Sequence, residues 1–258
     1  MKLGLFFKNL ARKIRKVGAN RGYTCDVCGK ELFAYPHKRL CADCENALSK
    51  NDGKTCDKCG RKTFTDGVCL SCKTRLPKFT VGISPLSYEG ETAGLVNRLK
   101  NGDRRLAWYV AERMAETLEN RYSALENYQN GGEKLLLLPV PMTEEKQRKR
   151  GYNQTQDIAE ALQTALEKAG FACELDDETL IKRKDVAEQK HLDFVSRAEN
   201  VGSAYHLHKR KGVQNRVILL IDDIMTTGAT GSACAEKLLS AGAREVILLT
   251  VASAPEKK

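Results

Sequence analysis

The sequence predicts an α/β fold: a mainly parallel sheet flanked by helices, preceded by a small cysteine-rich module. Three observations carry that expectation. The run Val217-Ile218-Leu219-Leu220-Ile221 is apolar at every position, as a strand buried on both faces of a parallel sheet must be. Strand-like and helix-like segments alternate after Pro77, the pattern of parallel strands joined by helical crossovers. Eight of the ten cysteines fall between residues 25 and 72, in four Cys-x-x-Cys pairs.

The chain of 258 residues is long enough for one substantial core and a small appended module. In Met1 to Val17 the apolar residues Leu3, Phe6, Phe7, Leu10, Ile14 and Val17 fit one helical face, and Lys and Arg fill the rest. Residues 1–22 therefore read as a basic amphipathic segment, a docking helix with a solvated face. It lacks the apolar core and small-residue cleavage site of a signal peptide. No apolar run approaches the ~20 residues of a membrane span. A cytoplasmic location is expected.

Residues 23–78 read as a double four-cysteine module. Two residues between cysteines let both sulfurs reach one metal from a tight knuckle, and two knuckles complete a tetrahedral site. The spacing suggests two sequential sites, Cys25, Cys28, Cys41 and Cys44, then Cys56, Cys59, Cys69 and Cys72. A cross-braced pairing remains open. Nothing indicates secretion, so metal is favoured over disulfides, and zinc over iron. Zinc held by four cysteines has no open position and is structural; its binding supplies folding free energy to a segment without a large core. Gly29 and Gly60 follow two of the knuckles and help the backbone amides turn toward sulfur.

Charge is uneven. Residues 1–80 carry 18 Lys and Arg against 7 Asp and Glu, whereas the rest carries 25 against 26. A basic third beside a neutral domain suggests a polyanion partner, nucleic acid first. Phe33, Tyr35 and Phe64 are interleaved with those cations and suit base stacking on a single strand, or equally a small core under the metals.

From residue 79 to 258 the reading gives a strand over 79–88, helices over 91–100 and 104–118, and a strand over 134–138. A basic loop follows at 146–154, then a helix over about 155–168. Further strands are expected at 179–183, 203–207, 217–221 and 245–251, with a helix over 232–239. Cys173 and Cys234 look like isolated packing residues.

The strand over 217–221 runs into Asp222-Asp223, then Ile224-Met225, then Thr226-Thr227-Gly228-Ala229-Thr230-Gly231. A loop entering a helix offers free N–H groups and a positive dipole end to a phosphate. Gly228 and Gly231 would let backbone approach the ligand, and Thr226, Thr227 and Thr230 add hydroxyls. Ionised carboxylates accept only, which suits vicinal sugar hydroxyls. A phosphate cradle beside a diol acceptor describes a ribose 5-phosphate site.

Ile-Asp-Asp-Ile-Met-Thr-Thr-Gly-Ala-Thr resembles the phosphoribosyl-pyrophosphate (PRPP) motif of type I phosphoribosyltransferases. The resemblance implies that Asp222 and Asp223 hold the ribose hydroxyls and that Thr226, Thr227, Gly228, Ala229 and Thr230 hold the 5-phosphate. It implies a pyrophosphate loop after residue 138, at Val140 and Pro141, with Arg148, Arg150 and Lys100 as phosphate partners and Mg2+ accompanying PRPP. Asp222, Asp223, Arg148 and Arg150 would then be the catalytic set.

Pro139-Val140-Pro141, Arg148-Lys149-Arg150-Gly151-Tyr152-Asn153-Gln154, Arg183…Gln189…Leu192…Arg197…Asn200, Ala204-Tyr205 and Tyr88-Glu89-Gly90…Leu99-Lys100-Asn101-Gly102-Asp103 are similar to the ComF family. With the cysteines, the likeness covers nearly all of the chain from Cys25. It implies a phosphoribosyltransferase-like protein associated with DNA uptake in competent bacteria, with single-stranded DNA and a DNA-uptake helicase as partners. Two features depart from that family: two four-cysteine fingers instead of one, and Val186 where a Thr is common. Three functions remain open on sequence. They are pentosyl transfer from PRPP to an unnamed acceptor, a DNA-binding module whose transferase fold serves as scaffold or sensor, and nucleobase salvage.

Overall fold

The structure, a computed structural model, describes residues 24–32, 38–129, 133–183, 204–208 and 211–256. The basic segment 1–22, Phe33, Tyr35 and the stretch carrying Val186, Gln189, Leu192, Arg197 and Asn200 lie outside the described residues. The chain forms two compact units, Met1–Ala47 and Leu48–Lys258. The two tetrads of the segment 23–78 fall in different units.

In the small unit, the knuckle at Cys25 closes with Gly29 N–H donating to the Cys25 carbonyl at 2.9 Å, Gly29 lying at φ 75°. Helix α1 (Ala42–Asn46) starts at Cys41, whose Sγ accepts from the Cys44 amide at 3.5 Å. The buried Asp26–Arg39 pair lies 3.7 Å apart, and the Asp26 amide donates to the Arg39 carbonyl.

The large unit is built on a seven-stranded sheet. Its strands are β1 (Leu48–Lys50), β2 (Val81–Ile83), β3 (Leu86–Glu89), β4 (Leu135–Pro139), β5 (Cys173–Leu175), β8 (Val217–Met225) and β9 (Glu245–Ser253). The order is β1-β3-β9-β8-β4-β5, with β2 also paired to β9. All pairings are parallel except β1 with β3. β2 and β3 share one register along β9, Ile83 opposite Leu249 and Leu86 opposite Ala252. They are one strand interrupted at Ser84-Pro85, where proline cannot donate to the ladder.

Alternation across the pleat divides the core. Leu136, Leu138, Ile218, Leu220, Val246 and Leu248 join one cluster with helix α7 (Ala229–Ser240) and with the four cysteines of the second tetrad. Leu135, Leu137, Leu219 and Ile247 are equally buried. Helices α4 (Leu106–Arg121) and α6 (Gln154–Lys168) pack on each other and on the sheet to cover them. The second tetrad is therefore core of this unit, which is why the boundary falls before Leu48 and not at residue 78. Helix α2 (Leu70–Thr74) carries Cys72, and α3 (Gly90–Lys100) follows β3.

Four further expectations change. The basic loop 146–154 begins as helix α5 (Glu144–Arg150). Thr143 caps it by accepting from the Lys146 amide, acids occupy its first turn, bases its last, and Gly151 ends it at φ 76°. The expected strands at 179–183 and 203–207 appear as β6 (Leu180–Lys182) and β7 (Tyr205–Leu207). They pair antiparallel with each other, off the main sheet. α7 begins at Ala229, three residues before the expected start. Gly231 meets the sheet, not a ligand: a Cβ there would sit 2.6 Å from Leu248 Cδ2. No helix among the described residues is long and apolar enough to cross a membrane.

Candidate functional site

β8 delivers Asp222 and Asp223 to its carboxyl end, beside the end of β4. There the Val140 amide donates to the Ile221 carbonyl at 2.8 Å, so Val140-Pro141 continues the β4–β8 ladder past Pro139. Thr155 Oγ1 donates to the Val140 carbonyl at 2.8 Å and fixes the turn from the start of α6. Crevices at the carboxyl ends of parallel strands are where open α/β sheets take ligands.

The two carboxylates have different surroundings. Asp223 is 8 % exposed. Its Oδ2 accepts from Gln154 Nε2 at 2.8 Å and lies 3.6 Å from Lys100 Nζ. Asp222 Oδ1 accepts from the Asp223 amide at 2.9 Å. Burial, and then the charge of Asp223, push the Asp222 carboxyl up to about 8, with Lys100 and Lys182 opposing. The site thus favours added positive charge or hydrogen-bond donors at Asp222.

Lys100 is held at its backbone. Tyr152 Oη donates to the carbonyl of Lys100, and also reaches that of Leu99 at 3.2 Å. Arg150 Nη1 donates to Gln154 Oε1 at 3.2 Å, so Arg150, Gln154, Asp223 and Lys100 form one polar chain. Arg148 stands apart, with an exposed side chain 3.7 Å from Glu144. It lines a cleft of about 740 Å3 that also includes Pro141, Thr143, Asp177 and Lys182. Gln154 and Tyr152 received no role from sequence, although both lie in the quoted segment Arg-Lys-Arg-Gly-Tyr-Asn-Gln.

The small-residue loop follows. Thr226 and Thr227 are exposed, and Gly228 is buried at φ 76°. Gly228 is the N-cap of α7 and brings no side chain to cap it. Thr227 Oγ1 accepts from the Ala229 amide at 3.3 Å, while the amides of Thr230 and Gly231 in the first turn have no intrahelical acceptor. A Cβ at Gly228 would meet the Phe79 ring at 3.6 Å. Loop and helix end together present amides and hydroxyls to an anion.

The eight module cysteines gather as two sequential tetrads, and the cross-braced alternative is not the one formed. Within each, all four sulfurs lie within 4.8 Å of one another. Cys28 Sγ is 3.7 Å from Cys41 Sγ, and Cys59 Sγ 3.8 Å from Cys69 Sγ. A tetrahedron with bonds of about 2.3 Å has edges of about 3.8 Å, so both fit a four-thiolate divalent ion. Sulfurs also receive amide donors: Cys69 N–H to Cys56 Sγ at 3.2 Å and Cys59 N–H to the same atom at 3.5 Å. Burial opposes ionisation of Cys56, yet these amides bring its thiol to about 7. The same balance brings Cys25 to about 7, while burial raises Cys44, Cys59 and Cys72.

The mainly parallel sheet with flanking helices is of the phosphoribosyltransferase type. Residues 149–258 match the Phosphoribosyl transferase domain. The chain is 30% identical over 212 residues to Competence protein ComFC of Streptococcus pneumoniae, covering 80% of this chain and 84% of that one. It is 26% identical over 224 residues to DNA utilization protein YhgH of Escherichia coli, covering 86% and 93%. The chain belongs to the ComF family.

Proposed function

We propose that this protein binds PRPP with Mg2+ at the end of β8 and handles single-stranded DNA during its uptake. Asp222 and Asp223 take the ribose hydroxyls, and Thr226 to Thr230 with the start of α7 take the 5-phosphate. Val140, Pro141, Lys100 and Arg150 face the pyrophosphate. Arg148, exposed on α5, serves a ligand that fills the neighbouring cleft. Mg2+ would neutralise pyrophosphate and ribose oxygens beside the carboxylate pair and would favour the ionised form of Asp222. The single observation that carries this reading is the buried Asp223 held between Gln154 and Lys100 at the mouth of the loop. A decayed site has no need of that polar chain.

If turnover occurs, the carbon–oxygen bond to pyrophosphate breaks through an oxocarbenium-like state. The carboxylates then act by electrostatic stabilisation of developing positive charge, not as nucleophiles. The acceptor of the pentosyl group is the open part of this proposal. Zinc is proposed for both tetrads, as a structural ion.

The DNA role draws on two supports: the relatives are named for competence and DNA utilization, and residues 1–80 hold the chain's cationic excess. Binding of a single strand should weaken steeply as salt rises. A flat salt response would remove the DNA role.

Calorimetric titration of PRPP with Mg2+ into the wild type and into Asp222→Asn/Asp223→Asn tests the site. Saturable binding lost in the double variant supports it. No binding by the folded, zinc-loaded wild type leaves the transferase fold as a scaffold for DNA handling.

A further inference from the structure

The second tetrad and the proposed phosphate loop are joined by one side chain. Arg61, two residues after Cys59, is 7 % exposed. Its Nε donates to Cys59 Sγ at 3.3 Å and its Nη2 to the Thr226 carbonyl at 2.6 Å. A guanidinium buried this deeply needs a negative partner, and a four-thiolate metal site supplies one. The planar fork can serve two acceptors in fixed directions, which a lysine ammonium cannot do with the same geometry.

The Thr226 carbonyl belongs to the peptide unit that opens the loop. In a trans peptide the following N–H points opposite to the carbonyl. Clamping the Thr226 carbonyl toward Arg61 therefore aims the Thr227 N–H away from the tetrad.

The anchorage on the other side of Arg61 is rigid. The knuckle ends at Gly60, where a Cβ would lie 2.2 Å from the Gly82 carbonyl oxygen on β2. The Gly82 amide donates to the Lys58 carbonyl at 2.8 Å. Asn51 Nδ2 donates to the carbonyls of Gly60 at 2.6 Å and Ser84 at 3.1 Å. Phe79, fully buried in the cluster that holds the tetrad, also lies beside Gly228, where a Cβ would meet its ring at 3.6 Å.

We propose that Arg61 is a positioning residue for the phosphate loop, transmitting the fixed geometry of the second tetrad to the peptide at Thr226. Its consequence for ligand affinity rests on the PRPP reading; its effect on the loop does not. Without the guanidinium the loop samples orientations in which its amides no longer converge, and anion affinity falls while chain and metal remain in place.

The test is hydrogen–deuterium exchange on the full zinc-loaded chain, comparing wild type with Arg61→Met and Arg61→Lys, alongside zinc content and PRPP titration. Exchange of the hydrogen-bonded amides of the loop and helix start, Ala229 to Thr227 Oγ1 and Ser232 to the Gly228 carbonyl, should quicken roughly tenfold in Arg61→Met, the scale of one lost hydrogen bond. Exchange in β4 and β8 up to Ile221 should not change, and two zinc ions per chain should remain. Arg61→Lys should fall between, because a single ammonium can restore one link but not both. PRPP affinity should drop by about tenfold in Arg61→Met in parallel. Wild-type exchange at Ala229 and Ser232 in either variant overturns the proposal, as does acceleration spread evenly over the sheet. If Arg61→Met fails to fold, the Lys variant decides. Faster loop exchange in a protein whose wild type binds no PRPP upholds the positioning role and removes the PRPP reading. Unchanged exchange with intact PRPP binding does the reverse.

Discussion

The two cysteine tetrads have the same motif and nearly the same sulfur spacing, yet they stand in different surroundings. In the first, Cys28 is exposed and Cys44 half-buried, and among the described residues the knuckles have Leu32, Leu40 and the Asp26–Arg39 pair buried with them. In the second, all four cysteines are buried in one cluster with Phe79, Met225, Cys234 and Leu248. Among the described residues of the small unit, the first tetrad would supply folding free energy through its metal. The second would be one component of a transferase core that also has a sheet. Motif spacing predicts a metal site; what the site supports depends on the residues packed around it.

The largest contrast should appear on breaking each tetrad. Cys59→Ala removes a ligand and the acceptor of Arg61, and should cost more than about 4 kcal/mol, a loss reserved for metal and core failures. Cys28→Ala should leave the main unfolding transition of the large unit in place, since that unit's core contains none of the first tetrad. Thermal melts followed by circular dichroism compare them; equal losses would erase the distinction.

A second comparison lies within the large unit. Gly231→Ala pushes a methyl into Leu248 and should cost about 1–3 kcal/mol by overpacking. Gln154→Leu leaves buried Asp223 without its amide donor, a loss of about 1–3 kcal/mol. Denaturant titrations read both, and a neutral Gly231→Ala would mean that α7 is not seated tightly on β9.

Asp222 sets the next effect. Its folded value of about 8 lies above the unfolded carboxylate at about 4. The native state therefore binds the extra proton between those limits, and its stability falls as pH rises through that window. Asp222→Asn should match the wild type near pH 4 and melt at a higher temperature than the wild type near pH 8. A variant less stable at pH 8 would contradict the burial of that charge. The smallest effect belongs to Arg148→Ala. Its exposed pair with Glu144 is worth about 0–1 kcal/mol, and the melt should move by no more than that.

Much of the site was legible because its signals are local. The apolar run before Asp222 marks a strand covered on both faces, and the Thr-Gly segment marks the turn into α7. The sequential tetrads followed from the Cys-x-x-Cys intervals. β1 and β5 were not legible: three residues such as Cys-Glu-Leu hold no alternation to detect. α5 has no apolar face, so periodicity was silent, although Thr143, the early acids, the late bases and Gly151 spell out its caps. Arg61 read as one more cation between ligands, because its carbonyl partner lies 165 positions away. The same distance hid the unit boundary: only packing shows that Cys56 to Cys72 belong with the sheet.

That boundary is most directly tested by the melting of two fragments, 48–258 and 79–258, with metal content measured on each. Fragment 48–258 should melt in one cooperative transition and hold one zinc ion. Fragment 79–258, which lacks the tetrad, Asn51 and Arg61, should show no cooperative transition. A cooperatively folded 79–258, as stable as the longer fragment, would contradict the claim that the second tetrad is part of the transferase core.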